Sequence, residues 1–263
     1  MKKVSVETLQ QCKATGERFS CITTYDALFA RQVNQAGIDV ILVGDSLGMV
    51  LQGHDSTIPV TIEQMEYHTR CVSRGNSRSL IMVDMPFMTY ADTASAVKNA
   101  TRLMQAGAHM VKMEGGAWLS DTINTLVCGG IPVCAHIGLT PQSVNTLGGY
   151  KVQGRNAAQA EQLVNDAIAL EKAGAQILLM ECVPAALAAR VDNALVIPTI
   201  GIGAGNQTTA QVLVLHDLLG LNPCPARFVR NFMEGAGSIQ QALENYDLSV
   251  KTGTFPEAKH TFE

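Results

Sequence analysis

Short apolar runs recur along the chain, and each stops on a polar or acidic residue. Val-Ile-Leu-Val-Gly ends at Asp45, Leu-Ile-Met-Val at Asp84, Met-Val-Lys-Met at Glu114 and Ile-Leu-Leu-Met at Glu181. Runs of this length, rich in Val, Ile and Leu, read as strands of a parallel sheet buried on both faces. Eight such segments are expected, at 19–23, 40–44, 80–84, 110–114, 132–136, 176–181, 197–202 and 212–216. Helical periodicity fills several of the gaps, at 93–106, 157–173 and 239–249. Three helical stretches stop at Ala-Gly: Ala36-Gly37, Ala106-Gly107 and Ala173-Gly174. A glycine there supplies the left-handed cap after the last turn.

Strands alternating with helices imply parallel pairing through right-handed crossovers. Eight repeats within 263 residues, close to the roughly 250 typical of the architecture, predict a closed (β/α)8 TIM barrel of the α/β class. No linker or low-complexity tract divides the chain. The expectation is a single domain over 1–263, with a short N-terminal extension and a polar tail at 251–263 on the surface.

Composition narrows the class. The net charge of −4 comes without a basic stripe, so nucleic acid is not an expected partner. No stretch approaches the ~18 apolar residues of a membrane span, and the N-terminus lacks a signal-peptide core. The seven cysteines are odd in number and contain no Cys-x-x-Cys, so neither a zinc ribbon nor a disulfide framework is expected. Cys134 reads as a small buried strand residue. These features predict a cytoplasmic protein.

In a (β/α)8 barrel, catalytic groups gather at the carboxyl ends of the strands. Asp45, Asp84, Glu114 and Glu181 all fall there, with Lys112 and His136. A single acid after a strand often caps the next helix. Four carboxylates at one rim favour a site, because a buried carboxylate must be paired or bound to metal. Asp45, Asp84 and Glu114 are hard oxygen donors without a His or Cys cluster beside them, which suits Mg2+ and a chelated 2-oxo acid. Glu181 is then the candidate base beside the polarised carbonyl, or another supporting carboxylate. Lys112 shares a strand face with Glu114. It reads as an ion-pair partner, a carboxylate binder or a Schiff-base lysine. His136 is either a hydrogen-bonded core residue or a site residue. Gly201–Gly205 is either a phosphate-holding loop or a tight turn. His54 and Asp55 fall in a loop able to cover the site, and His216-Asp217 closes the eighth strand.

The motifs together resemble the ketopantoate hydroxymethyltransferase (3-methyl-2-oxobutanoate hydroxymethyltransferase) family. Those carrying the resemblance include Val-Gly-Asp-Ser-Leu-Gly-Met (43–49), Gln-Gly-His-Asp-Ser-Thr (52–57), Asp-Met-Pro-Phe-Met (84–88) and Val-Lys-Met-Glu-Gly-Gly (111–116). Further along stand His-Ile-Gly-Leu-Thr-Pro-Gln (136–142), Gly-Gly-Tyr-Lys-Val-Gln-Gly-Arg (148–155), Glu-Cys-Val-Pro (181–184) and Gly-Ile-Gly-Ala-Gly (201–205). The resemblance implies transfer of a one-carbon unit from 5,10-methylenetetrahydrofolate to 3-methyl-2-oxobutanoate through a Mg-stabilised enolate. The products are 2-dehydropantoate and tetrahydrofolate, the first committed step of pantothenate and coenzyme A supply. It implies one Mg2+ per subunit at Asp45, Asp84 and Glu114. The keto acid falls to Asp45, Ser46, Asp84 and Lys112, the proton acceptor is Glu181, and His136 is a substrate or folate contact. It also implies a cytoplasmic homodecamer of two pentamers. Residues 221–230 match the family pattern only loosely, which leaves the loop after the eighth strand without a carried-over role.

Three other readings remain to be weighed. A Mg-dependent 2-oxo acid lyase or mutase of the phosphoenolpyruvate mutase and isocitrate lyase type would use similar carboxylates, but its Lys-Cys-Gly-type loop is not found. A Schiff-base aldolase would use Lys112. A catalytically dead barrel would have lost rim carboxylates that are all present here.

Overall fold

A computed structural model describes residues 3–263. Met1 and Lys2, the start of the single domain expected from the sequence, lie outside the described residues. Eight parallel strands close into a barrel in chain order, with the last pairing back onto the first. They are β1 (Phe19–Thr23), β2 (Val40–Val43), β3 (Leu80–Asp84), β4 (Met110–Glu114), β5 (Val133–Gly138), β6 (Ile177–Glu181), β7 (Thr199–Ile202) and β8 (Ala210–Leu213).

Around them in chain order run α1 (Val6–Thr15), α2 (Ala27–Ala36), α3 (Leu47–Val50), α4 (Ile62–Gly75), α5 (Thr93–Ala106) and α6 (Ser120–Cys128). They continue as α7 (Val144–Leu147), α8 (Ala157–Lys172), α9 (Ala185–Ala194), α10 (Leu215–Leu218) and α11 (Ile239–Lys251). Local chemistry sets the boundaries. The Ser5 and Thr61 hydroxyls accept backbone N–H bonds and complete capping boxes at α1 and α4. Asp26 and Asp92 cap α2 and α5 in the same way. Gly37 and Gly107 close those two helices in the left-handed conformation that the Ala-Gly pattern predicted.

Strand side chains alternate in direction, so each strand serves two cores. One set, including Ile41, Val43, Ile81, Val83, Val111 and Met113, faces the helices. The other fills the barrel, with Phe19, Val40, Leu80, Met110, Cys134, Ile177 and Ile200 among its members. Cys134 is the buried strand residue expected of it. Leu9 of α1 joins the interior cluster, so the N-terminal extension is a helix that packs over the amino end of the barrel. The inward positions then change character along each strand: Leu80 and Met82 lead to Asp84, Met110 to Lys112 and Glu114, Cys134 to His136, Ile177 and Leu179 to Glu181. The apolar filling lies below and the ionisable layer above.

One expectation needs correction and one is refined. The eighth strand ends at Leu213, and His216 and Asp217 belong to α10 instead of the strand end. The turn comes early because the Leu215 N–H is taken by Thr23 Oγ1 at 2.9 Å. The C-terminal tail, expected to be polar and on the surface, is exposed over much of its length but is anchored by buried residues. Phe255 is 2% exposed and packs edge-on against Phe232 and Tyr246, and Phe262 accepts a backbone bond from Ala185. Burial of these scattered aromatics outweighs the polar average of the tail.

Helices α2 and α4 approach closely at Gly75. A Cβ there would stand 2.1 Å from the Ala27 carbonyl oxygen, a backbone atom that cannot step aside. Gly75→Ala is expected to destabilise the protein by about 1–3 kcal/mol through overpacking. A denaturant midpoint within error of the unmodified protein would show that the two helices are free to separate.

Candidate active site at the carboxyl end of the barrel

The strand register assembles the site. Asp84 stands opposite Lys112, Glu114 opposite His136, and Gly138 opposite Glu181. Asp45 follows β2, and its backbone N–H donates to Asp84 Oδ2 at 2.9 Å. Asp45, Asp84, Lys112, Glu114 and His136 are all buried. With Ser46 and Glu181 they line a cavity of about 160 Å3. That space equals roughly five water molecules at about 30 Å3 each. Its wall is apolar: Leu42, Leu179, Ile202 and Val212 lie below, with Met49, Tyr150 and Phe228 toward the mouth. All the site residues expected from sequence are thus brought together. His54 and Asp55 are exposed and do not line the cavity, whereas Thr57 of the same loop does. The Gly201–Gly205 turn is tightly packed. A Cβ at Gly205 would stand 2.6 Å from that of Ala185, and one at Gly203 2.9 Å from the Phe228 ring. Packing accounts for these glycines as a tight turn.

Charge decides how the site behaves. Lys112 Nζ is ion-paired with Asp84 Oδ1 and lies 3.6 Å from Glu114 Oε1. Burial disfavours a charged amine, but Asp84, Glu114 and Asp45 outweigh it and hold the Lys112 pKa well above the ordinary value. A Schiff base needs a neutral amine, so this geometry opposes the aldolase reading. Burial also opposes charge on Glu114, yet Lys112 and His136 keep its pKa low. Asp45 is the group in excess. Burial, then the charges of Asp84 and Glu114, push it well above the carboxylate range. With Asp45, Asp84, Glu114 and Lys112 all ionised, two negative charges remain uncompensated (three against one).

Among the described residues, no group of three or more His, Cys, Asp and Glu side chains is drawn together tightly enough to hold a metal on its own. The donor set nevertheless fits a hard cation. The excess charge is carried by oxygen alone, and the single ammonium of Lys112, shared between Asp84 and Glu114, leaves it unbalanced. Mg2+ commonly takes one or two carboxylates and completes its octahedron with water and substrate.

His136 is sandwiched between acids, with Nδ1 3.4 Å from Glu114 Oε1 and Nε2 3.5 Å from Glu181 Oε2. Burial and Lys112 depress its pKa, and neither ring nitrogen has a hydrogen-bond partner. Glu181, on the far wall, has a side chain 16% exposed. Burial, then the charge of Glu114, raises its pKa to about 8. Its backbone is pinned: the carbonyl accepts from Leu139 N–H at 2.8 Å, and Cys182 donates its N–H to Ile202 O at 2.9 Å. Cys182 itself sits at φ +47°, a conformation that costs a non-glycine residue about 1–3 kcal/mol.

The structure adds residues that sequence reasoning had not given a role. Gln142 donates from Nε2 to Asp45 Oδ2 at 2.8 Å and from its backbone N–H to Glu114 Oε2 at 3.0 Å. Tyr90 donates to Gln142 Oε1 at 2.6 Å. The available signal was Thr-Pro-Gln after a strand: proline at the first position of a helical turn exposes the next N–H to a ligand or acid.

Residues 3–258 match the family model of ketopantoate hydroxymethyltransferase. The chain belongs to that family. The 3-methyl-2-oxobutanoate hydroxymethyltransferase of Marinobacter nauticus is 58% identical over 261 residues, 99% of each chain. That of Shewanella loihica is 56% identical over 263 residues and the full length of both. The family makes this chain a transferase of the hydroxymethyl type. Among solved structures, phosphonopyruvate hydrolase in complex with oxalate and Mg2+ aligns with TM-score 0.63 at 14% identity over 83% of each chain. The 2,3-dimethylmalate lyase of the PEP mutase/isocitrate lyase superfamily aligns with TM-score 0.59 at 15% identity, over 84% of this chain and 83% of its own. At such identity the likeness is one of barrel fold alone. The lyases share the architecture, and family membership places the chain among the transferases.

The raised Glu181 pKa carries a stability signature. Between pH 4.5 and about 8 the folded state retains a proton that the unfolded state releases, so stability falls as pH rises through that window. Glu181→Gln keeps the neutral form at every pH. The variant is expected to unfold at higher denaturant than the unmodified metal-free protein at pH 9, by on the order of 2–4 kcal/mol. The advantage should vanish below pH 4.5. Equal midpoints at pH 9 would mean that Glu181 is not held in an environment hostile to its charge.

Proposed function

We propose that this chain joins 3-methyl-2-oxobutanoate, the one-carbon unit of 5,10-methylenetetrahydrofolate and water into 2-dehydropantoate, releasing tetrahydrofolate. This is the first step of pantothenate biosynthesis. The observation that carries the reading is the small buried cavity with Lys112 and three carboxylates on one side and the basic Glu181 on the other. Family membership supports the choice of keto acid.

The keto acid enters with its carboxylate and carbonyl toward Asp45, Ser46, Asp84 and Lys112. Its isopropyl group rests on the apolar wall of Leu42, Leu179, Ile202 and Val212. Lys112, kept charged by Asp84, holds negative charge on the substrate. Asp45, Asp84 and Glu114 would hold one Mg2+ per subunit; when bound, it supplies Lewis acidity to the carbonyl. Glu181, across the cavity, takes the C3 proton; a pKa near 8 gives it more driving force than an ordinary glutamate. His136, with both nitrogens unpartnered between Glu114 and Glu181, contacts the keto acid. Water adds to the methylene carbon, whose bonds to the two folate nitrogens break, so that tetrahydrofolate leaves and a formaldehyde equivalent remains. C3 of the enolate bonds to that carbon from the open side, and the new hydroxyl takes its proton back from Glu181. With the keto acid seated on the floor, the folate approaches over the mouth, where Met49 and the half-exposed Tyr150 stand. The cytoplasmic location and the decamer of two pentamers belong to the same reading, as does a single barrel domain over 1–263. Among the described residues no helix is long and apolar enough to cross a membrane.

The first test follows the C3 proton of 3-methyl-2-oxobutanoate by NMR in D2O. Exchange is expected with enzyme and Mg2+, and Glu181→Gln should lose it by about 100-fold or more while still binding keto acid. Absence of exchange, even with tetrahydrofolate present, together with no dehydropantoate from the full mixture, would sink the transferase chemistry.

A further inference from the structure

Gln142 lies in the loop after β5, sequence-distant from the acids it touches, and is buried. Both hydrogens of its side-chain amide are donated, and its oxygen has a partner. Nε2 donates to Asp45 Oδ2 at 2.8 Å and to the Met85 carbonyl at 2.9 Å. Oε1 accepts from the Tyr90 hydroxyl at 2.6 Å. A backbone carbonyl only accepts, so the Met85 contact fixes which end of the amide faces Asp45. The backbone N–H of the same residue donates to Glu114 Oε2 at 3.0 Å. One neutral residue thus holds one oxygen of each of two carboxylates from different strands. Their other oxygens stay available, Glu114 Oε1 toward Lys112 and His136.

Tyr90 acts on the same unit from behind. Its hydroxyl accepts the Glu114 N–H at 3.2 Å and donates a hydrogen bond to Gln142 Oε1. Hydrogen bonds in such a chain polarise and orient one another. A lysine in the place of Gln142 would have quenched the acids. A neutral amide aims them and leaves the surplus negative charge for a cation.

The geometry points to Gln142 as the positioning residue that sets Asp45 and Glu114 for a divalent cation, with Tyr90 locking the Gln142 amide in the productive orientation. This rests on the reading of the carboxylates as a metal site. Partners of metal ligands typically contribute about 10–100-fold to metal affinity. The test is Mn2+ binding to the full-length protein without substrate, measured by the EPR signal of free Mn2+, for the unmodified chain, Gln142→Ala, Gln142→Glu, Tyr90→Phe and the double variant Tyr90→Phe/Gln142→Ala. Gln142→Ala is expected to weaken Mn2+ binding about 10–100-fold. Gln142→Glu, of nearly the same shape, reports on the same contact if the alanine variant does not fold, and should alter the bound-Mn2+ spectrum. Tyr90→Phe should weaken binding on its own and add nothing in the Gln142→Ala background, because it acts through Gln142. A folded Gln142→Ala that binds Mn2+ within twofold of the unmodified protein overturns the proposal. Independent multiplication of the two effects overturns the role of Tyr90. An unmodified protein that binds no Mn2+ overturns the metal reading itself, and the positioning role falls with it.

Discussion

The site hangs on one buried cation among three buried acids. Lys112 meets Asp84 directly and Glu114 at longer range, inside a barrel mouth where water does not screen them. Removal of either side would strand the other, and an unpaired charge at such a depth costs several kcal/mol. The pair therefore fixes the register of β3 against β4 chemically as well as through the backbone ladder. It also fixes the sign of the site, because one lysine cannot neutralise three carboxylates. Burial and that imbalance give Asp45 its high pKa, while Lys112 and His136 hold that of Glu114 low, and the oxygen left in excess suits a hard cation.

The barrel separates these demands by height. Leu80 and Met82, Met110, and Ile177 and Leu179 fill the lower interior, and the inward positions above them on the same strands carry Asp84, Lys112 with Glu114, and Glu181. A period of two along a strand turns a vertical gradient into a readable sequence pattern, apolar run and then acid. Glu181 is held apart from the other acids by the width of the cavity, and its environment differs accordingly. Lys112 keeps the pKa of Glu114 low, whereas burial and the charge of Glu114 raise that of Glu181 to about 8. Two kinds of carboxylate thus arise from one kind of strand.

That pattern is why so much was legible in the chain. The strands were visible because parallel barrel strands are buried on both faces, and the acids were visible because they end them. The motifs around Asp45, Asp84, Glu114 and Glu181 carried the family resemblance, which the relatives at 56–58% identity bear out. Gln142 and Tyr90 were not assigned roles, because their meaning lies in contacts across 52 and 97 positions of sequence. The last strand was placed too late because its apolar run continues into α10, and only Thr23 on β1 decides where it turns. The anchoring of the tail was missed because Phe255 finds Phe232 and Tyr246, partners that no local window contains.

The filled barrel interior has a kinetic side. Helix α1 packs Leu9 against its lower layers, so among the described residues the cavity is closed below and opens at the rim. A small molecule seated on the floor would have to arrive before a bulkier one covered the mouth, and could leave only after it. For any two ligands that shared the cavity in that way, the depth of the site would set their order: first in, last out.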